Sequence, residues 1–245
     1  MSSTDTPRFD AKVLFATGAG SGIGAATARR FASEGGRVAV ADLDAARAEA
    51  VADELGGVGV ACDVADERSI QDAVRRAHDE LGRLDCVFNG AGVVKFTPFE
   101  ELSLDEWNWH LAVHLTGTFL VCRTTMPLLR AAGGGSIVNV ASTSALLARP
   151  NLAAYAAAKG GIISFSRQLA LDAAASNVRV NVIAPGSVRT PMTADVYTPG
   201  ENPHSIQARF GEPEEIASAA CFLFADESGF FTASMLVADG GATAL

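Results

Sequence analysis

Short apolar runs rich in β-branched residues alternate with longer amphipathic segments along almost the entire chain. The short runs are continuously apolar, which is typical of strands that are buried on both faces. They predict seven strands, at Lys12–Thr17, Arg37–Ala41, Val58–Ala61, Leu84–Phe88, Ser136–Val140, Arg179–Ile183 and Met235–Val237. The longer segments predict helices at Gly22–Ser33, Ala45–Leu55, Glu67–Leu81, Leu104–Leu129, Leu152–Ala175 and Glu214–Phe224. This alternation predicts a doubly wound α/β domain with a seven-stranded parallel sheet and helices on both faces.

The composition excludes several other classes of protein. The chain has 245 residues, of which 49% are hydrophobic and 19% charged, so a disordered or fibrous protein is excluded and we expect a single domain over residues 1–245. The net charge is −9 without any cluster of Lys and Arg, which argues against a nucleic-acid partner. No apolar run approaches the ~20 residues that span a bilayer, and we expect no membrane partner.

Four cysteines lie far apart without C-x-x-C spacing, at Cys62, Cys86, Cys122 and Cys221. This spacing argues against a metal site and a redox pair, and free buried thiols are typical of the reducing cytoplasm. Residues 1–10 are polar and lack the apolar segment of a secretory signal, so we expect a flexible N-terminus and a cytoplasmic protein.

One irregular stretch, Thr190–His204, follows the sixth predicted strand and contains three prolines. A loop of this length in a compact domain is usually a lid or a binding loop. Ligands of open parallel sheets lie beyond the carboxyl ends of the strands, so we expect residues 190–208 to cover a substrate.

The first predicted strand leads into a glycine-rich turn, which reads Thr17-Gly18-Ala19-Gly20-Ser21-Gly22-Ile23-Gly24. Glycines let the backbone turn sharply and approach a pyrophosphate, whose charge is met by free N–H groups at the start of the helix. Because a predicted strand precedes the turn and a predicted helix follows it, the pattern indicates a Rossmann-type dinucleotide site. The alternative interpretation is a purely structural turn.

An acidic residue, Asp42, lies twenty positions beyond Gly22 at the end of the second predicted strand. A carboxylate at this place can accept both ribose hydroxyls of NAD, whereas it repels the 2′-phosphate of NADP. Neither Ser21 nor Leu43, the two positions beside the ribose, is basic. We therefore predict NAD as the cofactor.

Tyr155 and Lys159 are spaced i, i+4 on the fifth predicted helix, so that both side chains share one face. A phenol with a pKa of ~10 is a poor base near neutrality unless a neighbouring cation favours the phenolate. Ser142, just past the fifth predicted strand, has a hydroxyl that can bond a substrate oxygen. Hydride transfer at a carbinol carbon needs acid–base partners of this kind around one oxygen.

Together these motifs resemble the short-chain dehydrogenase/reductase family, and the similarity covers essentially the whole chain. The further shared motifs are Cys62-Asp63-Val64, Asn89-Gly90-Ala91-Gly92, Asn139 to Ser142, Pro185 to Thr190, Arg209 to Glu215 and Asp239-Gly240-Gly241. The resemblance implies an oxidoreductase that transfers a hydride between NAD(H) and a secondary alcohol or the matching ketone. It also implies a homotetramer, which the apolar character of the fourth and fifth predicted helices supports.

The resemblance also assigns roles to single residues. It implies that Tyr155 is the general acid/base, that Lys159 lowers its pKa and binds the nicotinamide ribose, and that Ser142 positions the substrate oxygen. Asp63 and Val64 are expected at the adenine. The other expected cofactor contacts are Gly18, Ser21, Gly22, Ile23, Gly24, Asp42, Leu43, Asn89, Gly90, Ala91, Pro185, Gly186, Val188 and Thr190.

His114 departs from the family pattern, which has a catalytic Asn at this position. The family Asn helps to hold a bend in the helix, and its main-chain carbonyl anchors a water that links the catalytic Lys to solvent. An imidazole can both donate and accept hydrogen bonds, so it can satisfy the same helix groups. Two interpretations stay open: His114 passes protons itself near its ordinary pKa of ~6.5, or it is only satisfied within the helix.

Two other functions fit the same motifs. One is a 3-oxoacyl thioester reductase that uses NAD(P)H, although Asp42 disfavours NADPH. The other is a dinucleotide-binding regulator without turnover, which the altered residue at position 114 allows. Elsewhere, we expect Trp107 and Trp109 to serve packing, and Lys95 and Arg149 to be solvated loop charges.

Overall fold

The computed structural model describes residues 7–196, 202 and 205–244. Part of the N-terminal segment that we expected to be flexible, 1–6, lies outside the described residues, as do 197–201 and 203–204 of the predicted lid. Phe9 belongs to that N-terminal segment but is buried. Its ring stacks on Phe31 with the centroids 4.2 Å apart, which fixes the chain from this residue onward.

Seven parallel strands form one sheet within the described residues, in the order β3-β2-β1-β4-β5-β6-β7. They are β1 Val13–Thr17, β2 Arg37–Asp42, β3 Val58–Ala61, β4 Cys86–Asn89, β5 Gly135–Val140, β6 Val178–Pro185 and β7 Met235–Ala238. Every strand starts and ends within two residues of its predicted range, and the predicted fold class is confirmed. Strand β1 lies between β2 and β4, so the order reverses there, and such a reversal opens a crevice at the carboxyl ends of the strands.

The helices cover both faces of the sheet. They are α1 Gly22–Ser33, α2 Ala45–Leu55, α3 Glu67–Leu81, α4 Leu104–His110, α5 Gly117–Ala131, α6 Ala153–Ala173 and α7 Pro213–Phe224. Phe15 points to the core beneath α3, α5 and α6, whereas its neighbour Leu14 points to the core beneath α1, α2 and α7. Because both faces are buried, the strand carries apolar residues continuously.

The structure divides the fourth predicted helix, Leu104–Leu129, into three parts. A π-helical segment, Leu111–Thr116, separates α4 from α5. Short π segments inside α-helices accommodate an additional residue in one turn, and apolar periodicity does not detect them. His114 lies within this segment and not in regular α-helix.

Side-chain caps start α2, α3 and α4. Asp44 accepts from the backbone N–H of Arg47, and Ser103 accepts from that of Glu106. Ser103 and Glu106 form only half of a capping box, because the Glu106 carboxylate binds Lys95 and Thr97. By contrast, Ser21 makes no side-chain cap at the start of α1. Among the described residues, no helix combines the length and apolarity needed to cross a membrane.

Candidate active site

The carboxyl ends of the strands border one elongated cleft with a volume of about 530 Å³. All but one of the predicted site residues line it. They are Gly18, Ser21, Gly22, Ile23, Gly24, Asp42, Leu43, Asp63, Val64, Gly90, Ala91, His114, Ser142, Tyr155, Lys159, Pro185, Gly186, Val188 and Thr190. Residues from nearly the whole chain therefore converge on one elongated site.

Asn89 is the predicted cofactor contact that does not line the cleft. Its side chain is buried and donates to Asn139 Oδ1 at 2.8 Å and to Cys122 Sγ at 3.3 Å. Asn139 in turn donates to the Ser166 hydroxyl at 2.8 Å. The side chain of Asn89 thus joins the ends of β4 and β5 to α6, and this differs from the direct cofactor contact that we expected.

The glycine-rich turn is closely packed, and its packing leaves space for a ligand on one side. A Cβ on Gly18 would lie 2.6 Å from Ala91 Cα, and one on Gly24 would lie 2.3 Å from the Gly18 carbonyl oxygen. Gly18 also has a φ of +62°, which disfavours any side chain. Because Ser21 supplies no cap, the first N–H groups of α1 remain available to an anion at the cleft.

Asp42 is held at the same end of the cleft by backbone donors. Its Oδ2 accepts from Gly20 N at 2.9 Å, and its Oδ1 accepts from Asp44 N at 3.1 Å. Each carboxylate oxygen keeps a further lone pair, so ribose hydroxyls can still donate to it. The glycine turn, the uncapped helix and Asp42 together fit the pyrophosphate and ribose of a dinucleotide.

Ser142, Tyr155 and Lys159 lie at the other end. Lys159 is 4% exposed, donates to the Val140 carbonyl at 2.7 Å, and places Nζ 5.6 Å from the centroid of the Tyr155 ring. Ser142 follows β5 and accepts from Ser144 N at 3.1 Å, which orients its hydroxyl. The spacing of Tyr155 and Lys159 on α6 therefore brings both side chains to one point of the cleft.

Burial changes the proton affinities of this group. It lowers the pKa of Lys159 to about 7, because a buried ammonium loses its hydration. Burial also raises the pKa of Tyr155, and a hydrogen bond from Ser142 lowers it by a smaller amount. The resemblance implies that Lys159 lowers the pKa of Tyr155, and burial acts on this pKa in the opposite direction. Tyr155 is therefore a neutral phenol near pH 7.

His114 is 1% exposed and connects the π-helical segment to the loop after β4. Its Nε2 lies 2.8 Å from the Val93 carbonyl oxygen, and its ring meets that of Tyr155 edge-on with the centroids 5.2 Å apart. Burial, and next the nearby Lys159 ammonium, lower the pKa of His114 well below 6.5. A neutral imidazole that donates to Val93 leaves Nδ1 as an acceptor, and this atom is buried without a partner among the described residues.

Sequence reasoning missed several residues of the cleft wall, among them Arg47, Val93 and Val113, whereas Met192 belongs to the predicted lid. Trp109, which we expected to serve packing, also lines the cleft and is 42% exposed. A signal existed for Arg47, since it lies five residues after Asp42 at the start of a helix that borders the glycine turn. Lys95 is instead paired with Glu106 at 2.6 Å and lies outside the cleft wall.

The chain matches known proteins over nearly its whole length. The sequence model of a family described as enoyl-(acyl carrier protein) reductase matches residues 18–243. A D-threitol dehydrogenase of Mycolicibacterium smegmatis is 43% identical, over 96% of this chain and 94% of the relative. A cyclohexanol dehydrogenase of an Acinetobacter species is 37% identical, over 96% of each chain.

A solved structure has the same fold. It is a 3-ketoacyl-(acyl-carrier-protein) reductase of Brucella melitensis complexed with NADH, with a TM-score of 0.90 and 33% identity, and the match covers 96% of this chain and 99% of that one. The sequence matches, the sheet order and the arrangement of the cleft agree with one another. The chain belongs to the short-chain dehydrogenase/reductase family and is an oxidoreductase.

Proposed function

We propose that the protein is an NAD-dependent dehydrogenase that interconverts a secondary alcohol and the matching ketone. The observation that carries this proposal is the convergence of Ser142, Tyr155 and Lys159 at one end of a cleft whose other end fits a dinucleotide. The two relatives named as dehydrogenases of threitol and cyclohexanol support an alcohol as the substrate.

Each residue of the catalytic end has a defined task in this reaction. Tyr155 Oη takes the proton of the substrate hydroxyl during oxidation and returns it during reduction. Ser142 donates a hydrogen bond to the reacting oxygen. In its protonated form, the Lys159 ammonium stabilises the Tyr155 phenolate. NAD⁺, when bound, supplies the acceptor for the hydride that leaves the carbinol carbon. Because burial raises the pKa of Tyr155, the phenol that returns the proton during reduction is favoured near pH 7.

The proposed cofactor is NAD and not NADP. Asp42 supports this choice, because a carboxylate held beside the glycine turn can accept ribose hydroxyls and would repel a 2′-phosphate. The other proposed cofactor contacts line the cleft in three segments. These are the glycine turn, the loop that follows β4 and the segment that follows β6. Asn89 contributes through the position of that loop.

A 3-oxoacyl thioester reductase is the second candidate. The Brucella melitensis structure favours it, because a 3-ketoacyl reductase there holds NADH, so the choice of cofactor does not separate the two candidates. The higher identity to the D-threitol dehydrogenase favours the alcohol. The rates of turnover of secondary alcohols and of a 3-oxoacyl thioester distinguish the two candidate functions.

For His114 we propose a positioning role. Its donated hydrogen bond fixes Val93, which lines the cleft, and its ring edge supports Tyr155. The lowered pKa argues against an imidazolium that relays protons near pH 6.5, because the protonated form is disfavoured there.

We also propose that the protein forms a homotetramer in the cytoplasm. Several large apolar side chains project into solvent from different elements. Among them, Phe119 on α5 is 40% exposed, Leu171 on α6 is 71% exposed, and Phe230 before β7 is fully exposed. Contacts between subunits would cover such surfaces. The four cysteines are free, as expected in a reducing compartment.

The first prediction concerns Tyr155. Tyr155→Phe is expected to lower turnover of secondary alcohols at least a hundredfold and to leave the Kd for NAD⁺ within twofold, since only the proton-transfer group is lost. Absorbance of reduced nicotinamide is measured over a panel of secondary alcohols and one 3-oxoacyl thioester. Turnover of the thioester alone would favour the second candidate, and retained activity in the variant would contradict the mechanism.

The second prediction concerns the cofactor. NAD⁺ is expected to bind at least tenfold more tightly than NADP⁺, and Asp42→Ala should narrow this ratio because the repelling carboxylate is removed. Calorimetric titration gives both dissociation constants. Equal constants for the unmodified protein would refute the preference.

The third prediction concerns His114. His114→Asn is expected to keep most of the activity, because an amide can donate to Val93, whereas His114→Leu should slow turnover at least tenfold. The loss should be independent of pH between 7 and 10, because burial lowers the pKa of His114 well below 6.5 and the imidazole is neutral in this range. If His114→Leu turns over at the unmodified rate, the side chain serves packing alone.

The fourth prediction concerns assembly. Sedimentation at micromolar concentration is expected to give four times the monomer mass of 25.3 kDa. Leu171→Glu should shift the population towards smaller species, because it places a charge on an apolar contact, whereas Gln168→Glu on a neighbouring position of α6 should not. A stable monomer of the unmodified protein would exclude the tetramer.

A further inference from the structure

Arg47 is a basic side chain that lines the cleft beside the glycine turn and Asp42. The proposed NAD site gives it no role. It lies in the first turn of α2, where its backbone N–H donates to the capping Asp44 at 3.2 Å. The usual interpretation of an Arg three residues after an Asp on a helix is a surface ion pair of small energetic consequence. Because Arg47 also lines the cleft, its side chain can in addition contact a ligand there.

The stem of Arg47 packs against the glycine turn. The place where a Cβ on Gly20 would lie is 2.8 Å from Arg47 Cβ and 2.9 Å from Asp42 Oδ2. The Arg47 stem and the Asp42 carboxylate therefore flank the same glycine. Any group that Asp42 meets at the ribose consequently lies within reach of the Arg47 side chain, which is long and flexible.

The guanidinium keeps free donors. Its Nε lies 3.1 Å from Asp44 Oδ2, and its side chain is 60% exposed. Within the described part of the chain, the two terminal nitrogens of the Arg47 guanidinium make no further hydrogen bond or ion pair. A guanidinium presents paired N–H groups in a fork that matches a phosphate, so these donors suit a phosphate monoester.

The charges of the side chains around this point sum to a net negative value. Asp42 and Asp44 are acidic and Arg47 is basic, so a 2′-phosphate meets a net negative surrounding although a cation is present. Removal of one carboxylate leaves one acidic and one basic side chain, so the net negative charge that opposes a 2′-phosphate is lost.

We propose that Arg47 is a second determinant of cofactor choice, held in check by Asp42 and Asp44, and that it binds the 2′-phosphate of NADP once either carboxylate is removed. The inference rests on the proposed dinucleotide site. Arg47 would then set how much the ratio of NAD to NADP affinity can be lowered by substitutions at Asp42 or Asp44.

A double-mutant comparison tests this role by binding, without reference to turnover. Calorimetric titrations with NAD⁺ and NADP⁺ are made on Asp42→Ala and on the same variant with Arg47→Met, which keeps an unbranched apolar stem over Gly20. The added Arg47→Met is expected to weaken NADP⁺ binding at least fivefold and to change NAD⁺ binding by less than twofold. An equal loss for both dinucleotides, or no loss, overturns the proposal.

Arg29→Met is the matched control for total charge. Arg29 is also exposed and paired with a carboxylate, Glu54 at 2.8 Å, but it does not line the cleft. In the Asp42→Ala background this change should leave the NADP⁺ affinity within twofold. A fivefold loss here would mean that net charge alone explains the effect, and the proposal would be wrong.

Asp44→Ser provides a test that leaves Asp42 intact. A serine hydroxyl still caps α2, while the ion pair with Arg47 is lost. NADP⁺ binding is expected to strengthen at least threefold, and the gain should vanish when Arg47→Met is added. A gain that persists without Arg47, or no gain, contradicts the inference while NAD⁺ binding still supports the proposed function. If the unmodified protein binds neither dinucleotide, the proposed function fails together with this inference.

Discussion

The contact between the turn after β1 and the turn after β4 is the constraint on which the cleft depends. These turns leave neighbouring strands, and a Cβ on Gly18 would lie within 3 Å of the backbone of Gly90 and Ala91. Thr17 Oγ1 also accepts from Ala91 N at 3.4 Å. Because the two turns touch at their bases, they can diverge only beyond the sheet, and the ligand space begins there. Side chains at this contact would separate β1 from β4 and remove the base of the crevice.

Helix α6 is fixed to the sheet by two polar contacts on one face. Lys159 donates to the Val140 carbonyl, and seven residues later Ser166 accepts from Asn139. Seven residues make nearly two turns, so both groups point towards β5. A helix held only by apolar packing can rotate slightly at low cost, whereas two buried hydrogen bonds fix its rotation. Tyr155, one turn before Lys159, is therefore directed into the cleft by the same contacts.

The sequence could predict whatever depends on local pattern. Continuous apolar runs identified the strands, and longer amphipathic segments identified the regions that form the helices. The residues of the proposed cofactor site followed from motifs, because glycine turns and strand ends have fixed places in a parallel sheet. Their roles remain predictions until the variants are measured.

What pattern could not predict depends on contacts between distant segments. Asn89 belongs to a known motif, but its side chain binds Asn139 fifty residues away and does not line the cleft. The π-helical segment leaves no mark in apolar periodicity. Trp109 lies just before that segment and lines the cleft. The large apolar side chain had suggested a packing role. Burial also raises the pKa of Tyr155, which a motif alone does not reveal.

The π-helical segment has a consequence for how this chain can diversify. One additional residue in a helical turn changes the angular position of everything after it by about 100°, the rotation of a single α-helical residue. Trp109 lies before the segment and borders the cleft, whereas Phe119 lies after it and projects into solvent. The segment thus separates two faces that a continuous helix would have to share. Substitutions that adapt the cleft to another substrate can accumulate before it without altering the exposed surface of α5.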